Sequence, residues 1–85
     1  MAGMQQVVLI YDIPDDRVRQ KVADVCMDYG LDRIQYSAFQ GLMTRSHQKE
    51  LMQKLSRLLG KRSGKIQLIP IGQQEWEQRL EVEHA

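Results

Sequence analysis

Asp12 is the residue of this 85-residue chain with the most to offer chemically. It follows Val7-Val8-Leu9-Ile10-Tyr11, a β-rich run apolar on both faces, and precedes Ile13-Pro14. Its carboxylate therefore stands where a central strand runs out into the loop before a helix, the strand end at which open α/β sheets tend to hold ligands. Such a carboxylate has two uses. It can brace the following turn, or it can hold Mg²⁺, which needs only one or two protein carboxylates because water and substrate phosphate oxygens complete its octahedron. One Asp12 per chain is enough where a twofold axis brings two copies together. A cation held this way stabilises charge on a scissile phosphate and supplies a water of lowered pKa, which is the chemistry of phosphodiester hydrolysis. Asp15 and Asp16 lie at the helix start, where capping is their expected role.

Other constellations fail on spacing. Gly60-Lys61-Arg62-Ser63-Gly64-Lys65 has three residues between its glycines and no Ser/Thr after the second lysine, so it is no P-loop. His47 and His84 have no Cys or second His at zinc-ligand spacing. The single cysteine, Cys26, lies among helical core positions and reads as a small buried hydrophobe. An RNA-recognition motif stacks bases on an aromatic octapeptide, and this chain has one phenylalanine in total.

The elements that must position Asp12 follow from periodicity. Val7–Tyr11 is the first strand, stopped by Pro14. Val18, Val22, Val25, Cys26 and Tyr29 recur at helical spacing and Gly30 supplies a left-handed terminator, giving a helix over 15–29. Residues 31–43 are extended and form one or two strands, with the break unplaced. Thr44 or Ser46 caps a second helix whose apolar stripe is Leu51, Met52, Leu55, Leu58 and Leu59, ending at Gly60. Ile66 to Ile69 make a last strand before Pro70. The order predicts an α+β, ferredoxin-like βαββαβ sandwich in a single domain over 1–85, with its core at 4–71. The tail at 72–85 carries Trp76, Leu80 and Val82 and is expected to add a C-terminal strand, on the sheet edge of a partner.

The formal charge of +1 hides an asymmetry. Residues 44–65 carry Arg45, Lys49, Lys54, Arg57, Lys61, Arg62 and Lys65 against Glu50 alone, whereas residues 75–85 carry four glutamates against Arg79. The basic stretch is either a phosphate grip, with Lys54 and Arg57 on the helix face opposite the leucines, or a solvated surface. So short a chain builds a modest core, and a homodimer is the default expectation. The longest apolar run is far shorter than the ~20 residues of a membrane helix, and no secretory signal is visible, so no membrane association and a cytoplasmic location are expected.

Beyond these physical readings, Tyr11-Asp12-Ile13-Pro14-Asp15-Asp16, then Arg17 and Arg19, then Tyr29-Gly30-Leu31-Asp32-Arg33-Ile34-Gln35-Tyr36-Ser37-Ala38-Phe39-Gln40-Gly41 resemble the hallmark segments of a known family. It is the CRISPR-associated endoribonuclease family, the small second protein of the pair that acquires spacers in antiviral defence. The match runs in order over residues 7–71. The resemblance implies a ferredoxin-like homodimer with facing sheets and exchanged C-terminal strands. It implies a Mg²⁺-dependent endonuclease on single-stranded RNA or duplex DNA, and a bridge between integrase dimers. Asp12 corresponds to the family's metal-binding catalytic aspartate. Arg17, Arg19 and Arg33 fall at nucleic-acid-handling positions, and Tyr11 and Phe39 at accessory ones. Lys21 stands where some relatives have arginine, keeping the charge but losing the bidentate fork. The alternative implied by the same residues is a non-catalytic dimeric scaffold that binds DNA and bridges integrase dimers.

Overall fold

Seven elements succeed one another in the computed structural model, which describes residues 3–84. They are β1 (Gln5–Asp12), α1 (Asp16–Asp28), β2 (Asp32–Gln35), β3 (Ala38–Met43), α2 (Arg45–Leu59), β4 (Lys65–Ile71) and α3 (Gln73–Glu77). The four strands form one antiparallel sheet in the order β2-β3-β1-β4. This is the ferredoxin-like arrangement, and it places the apolar β1 in the interior of the sheet as its two-sided hydrophobicity requires.

Local chemistry sets the boundaries. Asp15 caps α1, its Oδ1 accepting from the Val18 N–H at 3.0 Å, and Thr44 caps α2, its Oγ1 accepting from the His47 N–H at 3.2 Å. Gly30, at φ 82°, ends α1 and lets Leu31 turn back into the core. Gly41 serves packing instead: a Cβ there would lie 2.7 Å from Leu31 Cδ2. The turn at Tyr36-Ser37 is the break inside the extended 31–43 segment, and a bulge between Arg33 and Gln35 precedes it.

Val7, Leu9 and Tyr11 point to one face of β1, where they join Val18, Val22, Cys26, Phe39, Met43, Leu51 and Leu55 in a single buried cluster. Both long helices thus cover this face. The other face carries Val8, Ile10 and Asp12 from β1, Gln40 and Leu42 from β3, and Gln67, Ile69 and Ile71 from β4, paired by register. Much of it is open: Ile10 is 36%, Leu42 44% and Ile69 41% exposed.

One strand boundary is corrected, and the start of the tail takes a different form. β4 does not stop before Pro70 but runs through it to Ile71, which a sheet-edge strand tolerates because a missing donor there breaks no inner ladder. In the single chain the tail forms no strand within the described residues, its expected pairing being with the sheet edge of a second copy. Gln73–Glu77 is a short helix lying against β1, and residues 78–84 have no regular structure. Gln73, Gln74, Glu75 and Glu77 are unbranched helix formers, and residues 78–84 pair with neither free sheet edge, β2 or β4. Leu80 and Val82 are left 96% and 87% exposed.

Candidate functional site

Strand alternation divides the sequence-derived residues between two faces of the sheet. Asp12 ends β1 on the open face, exposed, with no hydrogen-bond partner for its carboxylate among the described residues. Its register partner on β4 is Lys65, and the two lie beside Ile10, Tyr11 and Gln67 around a shallow depression of about 120 Å³. The turn-brace alternative is therefore not what the carboxylate does. Asp15 performs the capping, and backbone N–H groups, that of Val18 foremost, hold its carboxyl below the usual range. Asp16 is the first helical residue and pairs with Arg19.

Tyr11, one residue earlier, points the other way. Its ring is buried and stacks on Phe39 with centroids 6.3 Å apart, and the Arg33 guanidinium lies over Phe39 at 5.1 Å. Arg33 and Phe39 are register partners on β2 and β3. Arg19 reaches back from α1, donating through Nη1 to the Ile13 carbonyl at 2.8 Å, so it braces the loop that presents Asp12. Tyr11, Arg19 and Arg33 meet with Asp16, Gln20 and Tyr36 around a cleft of about 220 Å³ on the helix side. Burial pushes the Tyr11 phenol above its ordinary value, partly offset by the neighbouring Arg33 guanidinium through hydrogen bonding and then charge, and the hydroxyl meets strict hydrogen-bond geometry with no group among the described residues.

Of the predicted site residues, Tyr11, Arg19, Arg33 and Phe39 thus come together, while Asp12 stands across the sheet from them. Arg17 is exposed in the first turn of α1. Sequence reasoning missed Gln20, Tyr36 and Lys65 as neighbours of these sites. The β1–β4 register would have found Lys65, but periodicity does not give register.

A Mg²⁺ ion fits Asp12 in donor chemistry, being a hard cation matched to carboxylate oxygen. Within one chain the fit is partial: no group of three or more His, Cys, Asp or Glu among the described residues is placed to share a metal. A full site on Asp12 therefore needs a second chain or the substrate's own phosphates.

Lys54 and Arg57 lie on the exposed side of α2. Lys54 sits over the Tyr29 ring at 5.4 Å, and Tyr29 donates its hydroxyl to Glu50 at 2.5 Å. If these cations hold phosphates, changing both to Gln is expected to weaken DNA binding equally for all sequences. It should also flatten the log affinity against log salt plot by up to about 2 per protomer, since each contact contributes ~0.9 to the slope. Fluorescence anisotropy across a salt series checks this; an unaltered slope would assign DNA to another face.

Cys26 is excluded from chemistry. It is fully buried on α1, and burial pushes its thiol up to about 12. Alkylation at pH 8 is expected to be at least ~100-fold slower in the native protein than in denaturant, and mass spectrometry over a time course would reveal any accessible thiol.

Comparison with known proteins agrees with the architecture and the motif. The family described as "CRISPR associated protein Cas2" matches residues 4–79. A protein of Chloroflexus aurantiacus named "CRISPR-associated endoribonuclease Cas2 2" is 46% identical over 78 residues, 92% of each chain. A Thermoproteus tenax protein named "CRISPR-associated endonuclease Cas1/endonuclease Cas2 fusion" is 47% identical over 51 residues, 60% of this chain and 19% of the fusion. The crystal structure of Streptococcus pyogenes Cas2 superposes with a TM-score of 0.79, covering 93% of this chain and 99% of that one at 24% identity, which supports the fold. No helix among the described residues is long and apolar enough to cross a membrane. A family match over nearly the whole chain, a relative 46% identical end to end, and the ferredoxin-like sheet with Asp12 at the end of β1 lead to one assignment: the chain belongs to the CRISPR-associated Cas2 protein family.

Proposed function

We propose that the chain acts in CRISPR spacer acquisition as a homodimer with facing sheets, carrying a Mg²⁺-dependent endonuclease activity on single-stranded RNA or duplex DNA at paired Asp12 residues. The observation that carries this reading is Asp12 itself: an exposed carboxylate with no hydrogen-bond partner among the described residues, at the end of a sheet face on which Ile10, Leu42 and Ile69 are open to solvent. A second copy laid on that face covers Ile10, Leu42 and Ile69 and brings a second carboxylate toward the first. The tail at 78–84, unpaired in one chain, is then available to add to the partner's sheet edge. When bound, Mg²⁺ supplies charge stabilisation at the phosphate and a more acidic water. The chain's own residues do the rest. Asp12 holds the cation, Lys65 opposite it attracts the substrate backbone, and Arg19 keeps the Ile13-Pro14 loop in place. The fused relative's name joins endonuclease Cas1 and endonuclease Cas2 in one polypeptide, which supports a Cas1 protein as the working partner.

One observation favours the scaffold reading as an alternative. Arg33 and Phe39 lie on the helix side of the sheet and Asp12 on the open side, so no arginine of that cluster helps the carboxylate within one chain. The two readings separate when purified protein is given labelled single-stranded RNA and duplex DNA with Mg²⁺ or EDTA, and in parallel is supplied to a spacer-integration reaction with its integrase. Mg²⁺-dependent cleavage supports the enzyme. Integration that requires the protein, without cleavage, supports the scaffold, and failure of both reactions would defeat the proposal.

A further inference from the structure

The turn between α2 and β4 is pressed onto the strand end that carries Asp12, and a glycine stands at the contact. Gly64 has φ 154°, in a region that side chains rarely adopt. A Cβ there would meet Leu59 Cδ1 at 3.0 Å, the Asp12 carbonyl oxygen at 3.2 Å and Ile13 Cγ1 at 3.2 Å. Two of these neighbours belong to side chains, but the Asp12 oxygen is backbone and moves only with the strand. The loop after Asp12 is tied down twice more. Arg62 of the turn reaches Asp15 at 3.9 Å, and Arg19 holds the Ile13 carbonyl from α1. Lys65 follows Gly64 directly and is the register partner of Asp12. Side chains directly opposite in a ladder share a face and have Cβ atoms about 5 Å apart. Even so, none of the ion pairs among the described residues involves Asp12 or Lys65. A carboxylate and an ammonium thus border one open depression, and neither neutralises the other by contact.

We propose that Gly64 is a positioning residue of the Asp12 site, whose close approach fixes Lys65 where its ammonium holds a nucleic-acid backbone phosphate against Asp12. The inference rests on the reading that nucleic acid passes Asp12, and it needs no cleavage. A phosphodiester brought alone to a carboxylate is repelled, and an ammonium at the neighbouring ladder position offsets that repulsion. Lysine is a point charge on a flexible stem, so the backbone that carries it decides which phosphate it reaches. A residue with a branched Cβ leaves the φ that Gly64 adopts. The chain entering β4 is then re-aimed, and Lys65 no longer offsets Asp12 for the same phosphate.

Fluorescence anisotropy in EDTA, with a labelled single-stranded RNA and a labelled duplex DNA, tests the placement. Lys65→Gln is expected to weaken binding about 5-fold, the upper range for an exposed charge pair. Gly64→Val should weaken it by a similar factor in the wild-type background and by less than ~2-fold where Lys65 is already Gln, because coupled residues are not additive. Combined with Lys61→Gln, its effect should multiply undiminished. A merely structural role for Gly64 multiplies in both backgrounds and would overturn the proposal. The double variant Ser63→Lys/Lys65→Gln leaves Gly64 intact and moves the charge within the turn. It should bind as Lys65→Gln does, and recovery of wild-type affinity would equally overturn the proposal. Thermal melts accompany each variant, and the relocated lysine decides alone if Gly64→Val does not fold. Wild-type protein that binds neither nucleic acid would remove the underlying reading and this inference with it. Because EDTA removes divalent cations, a failure of Mg²⁺-dependent cleavage is seen separately.

Discussion

Asp12→Ala is expected to lower Mg²⁺-dependent cleavage by ~10³-fold or more while leaving the protein folded. A cation that neutralises a developing phosphoryl charge is worth several kcal/mol in the transition state, and each 1.36 kcal/mol is tenfold in rate. Asp12 is the carboxylate at the strand end that is not occupied by capping or by an arginine, so nothing nearby replaces it. Its exposure and lack of a hydrogen-bond partner mean that truncation costs the fold little, within about 0.5 kcal/mol as for ordinary surface positions. Initial rates on extensively purified protein, set beside thermal melts, check both halves. Treating wild type with EDTA should reproduce the mutant's residual rate. A mutant that keeps the full rate would remove Asp12 from the chemistry and assign the activity to another residue or to a contaminant.

Why Asp12 was legible in the sequence and its surroundings were not has a physical explanation. The run Val7–Tyr11 declares a strand by composition, Pro14 declares its end, and Asp15 and Thr44 are capping residues placed where the helical stripes begin. These signals are local, and the sheet order followed because strand, helix, strand, strand, helix, strand leaves few ways to cover one face. Neighbours across the sheet are a matter of register, which periodicity does not encode. Lys65 therefore went unseen beside Asp12, and Tyr36 and Gln20 beside Arg33. Alternation along β1 was itself visible in the sequence and had a consequence for the site. The Tyr11 ring and the Asp12 carboxylate point to opposite faces, so the motif Tyr11-Asp12 reaches both the helix-side cleft and the open-face depression, which Tyr11 also borders.

The tail shows the opposite case, in which local preference won over a tertiary expectation. Trp76, Leu80 and Val82 ask for burial, and the expected answer was a strand. In a single chain the glutamine- and glutamate-rich 73–77 segment takes the helix its propensity favours, with Trp76 half-buried and the apolar residues beyond it still in solvent. In the proposed dimer a second copy would bury them, which joins the fate of the tail to that of the open sheet face.

Leu42→Glu is expected to split the proposed face-to-face dimer, raising its dissociation constant by ~10³-fold or more, and to reduce the proposed cleavage with it. Leu42 is 44% exposed on the open face, opposite Gln6 in the ladder and clear of the core between sheet and helices. A carboxylate there is hydrated in the monomer and should leave the melting temperature of the isolated fold nearly unchanged. In a face-to-face dimer it is buried, and the twofold axis supplies it twice, so two like charges lose water without a counter-ion. The penalty is several kcal/mol per ion, against 1.4 kcal/mol for each tenfold in affinity. Gln6 and Asp12 are six residues apart on β1, about 20 Å of strand, so Leu42 acts on the chemistry only through the assembly. Sedimentation velocity across a concentration series, run beside cleavage rates, distinguishes the outcomes. Loss of dimer and of cleavage together would tie the metal site to two chains. A monomer that still cuts would show that one Asp12, water and the substrate phosphates suffice, and an unchanged dimer would place the interface on another face.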